Sequence, residues 1–235
     1  MGLDIYVGSF TRYLAGEWEL AAERTAKEMG LPIEIVRQHD PAGAIRDPNQ
    51  IRPVVFSWRD SLSAALKDLL SSPLDWDEQD ETPYFTDKPT WDCYTDLLLW
   101  AAYDEQRQLR RPFQHVEDWP EDPAYILISS QDAKTRYSHV YDVTHWLPCD
   151  FGFVFKANGI AGTEQLIGSS VTLLRQLQEL NARTWGVDSQ VLHQWRIDCA
   201  EHGSPLETGA KFAFSVLYEL ATESVAHHLP MLMDW

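Results

Sequence analysis

Leu3, Ile5 and Val7 alternate with Asp4, Tyr6 and Gly8, and a period of two is that of a strand whose faces meet different surroundings. From 14 to 29 the apolar positions recur at helical spacing until Gly30-Leu31-Pro32 stops them. A second strand is expected over 33–37. Pro41, Pro48 and Pro53 interrupt any regular ladder after it, so 39–53 reads as a loop. Ser57-Trp58-Arg59-Asp60 resembles a capping box and predicts a helix running to about Leu70. Another helix is expected over 91–109, centred on Leu97-Leu98-Leu99-Trp100-Ala101. Stretches 124–129 and 150–156 are rich in Ile, Val, Phe and Tyr and predict strands. Ile167, Val171, Leu174, Leu177 and Leu180 recur at steps of three or four and predict a helix with one buried face. Asp188 is placed to cap a helix ending at Gly203. Ser204-Pro205-Leu206-Glu207 opens a last helix reaching about His228.

Helices and strands do not alternate regularly, which counts against a doubly wound parallel sheet. The pattern predicts an α+β fold: a single domain with a small mixed or antiparallel sheet of about four strands, about six helices, and a mainly helical C-terminal half. A subdivision near 110–124 is the alternative division of the chain. The 235 residues are enough to bury a sizeable core, and 44% hydrophobic with 12% aromatic residues is a globular composition.

Charge changes the picture most. Nineteen basic residues against 36 acidic ones leave a net charge of −17, which disfavours nucleic acid and anionic membranes as ligands and favours a cationic partner. The cysteines, Cys93, Cys149 and Cys199, are odd in number, widely spaced and form no C-x-x-C pair, which fits a reducing compartment. No signal-like N-terminus is apparent and the longest apolar run covers only 97–103, so a cytoplasmic location is expected.

Over 71–105 there are ten acids and one lysine, and Trp76, Tyr84, Phe85, Trp91 and Tyr94 are threaded among the acids. A solvated face is the bland account of such a run. The sharper account is a docking surface of Asp75, Trp76, Asp77, Glu78, Asp80, Glu81, Tyr84, Phe85 and Asp87, with rings as anchors and carboxylates steering a basic partner. A divalent-cation site on Asp75, Asp77 and Glu78 lacks the glycine and terminal glutamate of a calcium loop. A smaller acid group follows at Glu117, Asp118, Glu121 and Asp122.

Phosphate-loop, dinucleotide and nucleophile-elbow motifs are absent. His193 and His202 lie nine residues apart, about 900° around a helix, and so point opposite ways. Cys199 and His202 share a face but are only two ligands. His139 and His145 would be about 20 Å apart on an extended chain. No metal and no cofactor is expected. Were the chain a hydrolase or transferase, its site would assemble from dispersed groups, with Asp4, Asp87, Asp92 and His139 as candidates.

The opening MGLDIYVGSFTRY resembles the start of a group of bacterial proteins, and no activity follows from that. LPCDFGFVFKANG over 147–159 resembles the motif of the SUKH superfamily in Leu147, Pro148, Asp150, Phe151, Asn158 and Gly159, with the Asn-Gly pair arriving one residue early. That superfamily includes immunity proteins of bacterial toxin systems. The functional expectation is a non-catalytic acidic binding protein that docks on a basic protein, with an immunity protein neutralising a toxin as one concrete form.

Overall fold

The computed structural model describes residues 3–31, 46–130, 134–141, 143–160, 162–198, 200 and 203–234. Among the described residues six strands form one mixed sheet: β1 (Asp4–Val7), β2 (Phe85–Asp87), β3 (His145–Leu147), β4 (Phe155–Asn158), β5 (Glu164–Ser169) and β6 (Met231–Asp234), in the order β2-β1-β6-β3-β5-β4. Only β3 and β5 run parallel; the other neighbours are antiparallel. The α+β architecture expected from the sequence is the one observed.

The alternation in β1 does what its period requires. Ile5 and Val7 face one core, Tyr6 the other, and all are fully buried because helical or irregular layers cover both sides of the sheet. On the first side lie α4 (Trp91–Glu105), α6 (Ser170–Thr184) and α8 (Leu206–His227). α4 and α8 are central helices, buried over most of their circumference. On the second side α1 (Phe10–Ala15), α3 (Pro48–Ala65) and the irregular segment 72–84 enclose a smaller, aromatic-rich core around Tyr6, Phe10, Trp18 and Trp76.

Several boundaries differ from the sequence expectation. The run 14–29 is not one helix: Gly16 turns left-handed at φ 75° and returns its N–H to the carbonyls of Arg12 and Tyr13, which ends α1. The chain re-enters helix at α2 (Ala21–Glu28). α3 begins nine residues earlier than the capping-box reading, because Asp47 caps Asn49 N–H and Pro48 takes the first turn. Pro53 then sits inside the helix, where burial of Ile51, Val55 and Leu62 outweighs its missing donor.

The expected strand at 124–129 is a helix, α5 (Pro123–Ser129), since Asp122 accepts from Ala124 N–H and Pro123 occupies the first position. The strand expected at 150–156 is β4, which begins five residues further on, and the residues around Ile167 belong to β5 with the helix starting only at Ser170. Asp188 caps α7 (Ser189–Ile197) as expected. α8 begins at Leu206 with Pro205 as its cap residue, so Ser204 supplies no side-chain cap. The strand expected at 33–37, Cys199 and His202 lie outside the described residues. No described helix is long and apolar enough to cross a membrane.

Candidate protein-docking surface

The acidic segment is stitched to the fold by arginines. Arg52 and Arg59 are seven residues apart on α3, about 20° from eclipsed, so they project from one face. Arg59 reaches Asp75 at 2.8 Å and Arg52 pairs with Asp80. Arg12 of α1 donates to the carbonyls of Asp80 and Thr82, and Arg24 of α2 to that of Thr86 at 2.9 Å. At the sheet edge Arg196 of α7 bridges Asp87, at 2.7 Å, and Glu219 of α8. A row of like charges that would repel itself is thereby held in one path.

Its members divide by position. Glu78 and Trp76 are each 3% exposed. The Glu78 carboxylate accepts from the backbone N–H of Phe10 at 3.0 Å and Thr11 at 2.8 Å, and from Trp76 Nε1 at 2.6 Å. It satisfies the first turn of α1 and is a structural group. Tyr94 is buried as well, and Tyr84 and Phe85 are half-buried: Tyr84 stacks on Tyr6 beneath Arg12, and Phe85 packs near His227. The expectation that Trp76 and Glu78 form part of a docking surface is therefore corrected. Their burial is enforced by donors that need the carboxylate and by the second core that needs the ring. Asp75 and Asp80 stay 72% and 66% exposed although paired; Glu81 is exposed, and Asp77 is half-buried and accepts from Gln79 N–H. Asp75 turns to Arg59 while Glu78 turns inward, so these acids do not converge on a cation.

The second acid group has no such stitching. Glu117, Asp118 and Glu121 are exposed around the 3-10 turn Trp119–Glu121, with no cationic partner among the described residues. Two neighbours fix the turn: Trp119 packs edge-on against Tyr125 at 4.7 Å, and buried Asp122 caps α5 while accepting from Tyr103 Oη at 3.0 Å.

The groups considered for catalysis are not gathered. Ile5 pairs with Asp87, so Asp4 and Asp87 project from opposite faces of the sheet. Asp4 lies against Lys88 at 3.5 Å, with its carboxyl raised above the ordinary range by burial, which the lysine only partly offsets. His139 is fully buried near Phe151 and Gly168, and burial lowers its pKa to about 4. Asp92 stands in the first turn of α4 and lines a cavity that sequence reading did not anticipate.

That cavity holds Asp96, whose Oδ1 meets His115 Nδ1 at 2.8 Å. Burial raises the Asp96 pKa to about 6, against the opposing pull of His115. Asp104, also on α4, shows the reverse outcome. Burial would raise it, yet Arg183 at 2.6 Å, Tyr137 Oη at 2.6 Å and Arg107 together hold its carboxyl below the ordinary range. The available signal was acids set among the apolar residues of α4; the His115 partner of Asp96, 19 residues away, and the Arg183 partner of Asp104, 79 residues away, were not visible.

Searches of curated proteins and of solved structures returned no significant match. A family model described as "Putative DNA-mimic protein" matches residues 1–233. This corrects the expected partners, a basic protein such as a toxin and no link to nucleic acid: the family is described by its mimicry of DNA, which points away from a toxin and toward proteins that bind DNA. With all but the last two residues matched, the chain belongs to the DNA-mimic family, and its role is that of an acidic protein-binding mimic.

Proposed function

We propose that the chain occupies the DNA-binding surface of a DNA-binding protein and competes there with DNA, its carboxylates standing in for phosphates. One observation carries the reading. Of the acids among the described residues only Asp4, Glu78, Asp96, Asp104 and Asp122 are buried, so the excess behind a net charge of −17 lies at the surface. Duplex DNA presents one negative charge per about 1.7 Å of axis, and a surface built for it attracts any rigid array of carboxylates at long range. Rigidity matters because disordered charges must be immobilised on binding. Here Asp75 and Asp80 are pinned by Arg59 and Arg52, and Glu117, Asp118 and Glu121 ride on a turn anchored by Trp119 and Asp122.

The test loads proteins of the native host on immobilised duplex DNA and elutes with the purified chain. The expected result is release of a defined DNA-binding protein in a complex that excludes labelled duplex and weakens steeply with salt. No release at saturating chain, or a complex that still binds duplex, overturns the reading.

A further inference from the structure

The short helix α5 has two faces of unequal need. Ala124, Tyr125 and Ile128 are buried in the main core. At about 100° per residue, Pro123, Ile126 and Leu127 fall on the opposite side, within about 100° of one another, and all three are exposed. Ile126 is 54% and Leu127 47% open to solvent. A surface helix ordinarily turns polar or charged residues outward, whereas this one turns out an apolar strip with no charged member. The fold does not call for those side chains. Asp122 caps the helix, Tyr125 packs on Trp119, and Ala124 and Ile128 supply the core contacts.

The strip begins where the acidic turn ends. Glu121 lies two residues before Pro123, and Glu117 and Asp118 stand exposed on the same turn. No lysine or arginine occurs between Arg111 and Lys134, and the three acids have no cationic partner among the described residues. One exposed apolar side chain is ordinary. Two in adjacent positions, beside a turn of uncompensated charge, have the anatomy of a protein interface, with an apolar centre and a charged rim.

We propose that this strip is the apolar centre of the surface that docks on the DNA-binding partner. Ile126 and Leu127 meet apolar side chains set among the cations of its DNA-contacting face, and Glu117, Asp118 and Glu121 meet the cations. The inference rests on the docking reading above and names the face that carries it. Charge selects this occupant. A symmetric contact with a second copy would bring the same three acids of each chain to one interface, where they repel, and a basic face is attracted to them. The strip also bears on competition. Duplex DNA offers its proteins phosphates and base edges, and the phosphate attraction weakens with salt. Burying Ile126 and Leu127 adds a share that salt does not screen.

The test measures, over a range of salt, the affinity of the full chain for the DNA-binding protein that it releases from immobilised duplex. The double variant Ile126→Ala with Leu127→Ala keeps helix propensity and removes only exposed side chains, so its melting should match wild type. It should bind at least about tenfold more weakly at every salt concentration. Reversing Glu117, Asp118 and Glu121 to lysine should instead give a loss that closes as salt rises. Leu127→Met keeps the apolar area and should bind as wild type. So should Leu69→Ala, which removes an exposed apolar side chain just past α3, on the other side of the sheet. In the wild-type complex, hydrogen exchange of the α5 amides should slow, a readout that needs no variant. Wild-type binding by the double variant, an equal loss in Leu69→Ala, or unprotected α5 amides overturns the proposal. So does a wild-type dimer in sedimentation that the double variant dissociates. If the double variant binds as wild type while the lysine reversal abolishes displacement of DNA, the strip inference fails and the docking reading stands. If the wild-type chain releases no DNA-binding protein, both fail.

Discussion

The segment 75–87 and the stretch 117–122 are both acidic and both carry a tryptophan, yet they use their carboxylates in opposite ways. In the first, Glu78 is an internal ligand for two backbone N–H groups and an indole, and Asp75, Asp80 and Asp87 each meet an arginine. In the second, one acid, Asp122, does the structural work, and Glu117, Asp118 and Glu121 face water with no cation beside them. The difference follows from where each segment runs. The first crosses the rim of the aromatic core, among arginines of α1, α2 and α3, whereas the second passes over the end of α4, where its backbone is already anchored. Density of acids along a chain is thus a poor guide to the field a partner meets; compensation decides it.

Removal of Glu78 should separate the two regions most sharply. Glu78→Ala strands three buried donors and is expected to cost about 3 kcal/mol or more in chemical denaturation, against about 0.5 kcal/mol or less for Glu121→Ala. Equal costs would break the comparison. Next in size is the pH dependence set by Asp96. Its folded pKa of about 6 lies above its unfolded value, so the folded state holds the proton more tightly and stability falls as pH rises from about 4 through 6. Wild type should lose on the order of 2–3 kcal/mol relative to Asp96→Asn across that window, measured as the difference between the two unfolding free energies at each pH.

Reversing Glu117, Asp118 and Glu121 to lysine should leave melting almost unchanged and lower affinity for the DNA-binding partner at least about tenfold at low salt, with the gap closing as salt rises. A gap independent of salt would assign those acids a contact role and not a steering one. Arg59→Ala should have the smallest effect, about 1 kcal/mol, because an exposed pair with Asp75 and a ring contact with Trp76 are each weak. A much larger loss would show that the arginine stitching, and not Glu78, holds the segment in place.

Elements with strong local signals were legible. The alternation around Ile5, the start of α4 after Thr90, the Asp188 cap and the end of α8 near His228 all stand where the residues put them, because each rests on contacts within a turn or two. Residues 124–129 misled, since Tyr125, Ile126 and Ile128 favour strand while the decisive signal, Asp122-Pro123, lies just before them. β6 was invisible: four residues, Met231–Asp234, become a central strand only because β1 and β3 lie on either side. The candidate docking surface was legible as a composition but not as a surface, and Asp96 was not singled out at all.

By itself the sequence determined the charge, the α+β class, the principal helices and which segments are acidic, since these depend on composition and on interactions a few residues long. Tertiary structure alone decided what each acid does. Glu78 and Glu81 are the same residue type three positions apart, and one is buried because the N–H groups of Phe10 and Thr11, 68 and 67 residues away, require it, while the other stays in water. Whether a carboxylate is a ligand or a surface charge depends on its desolvation and on its nearest donors, and the folded chain supplies both from residues far away in sequence.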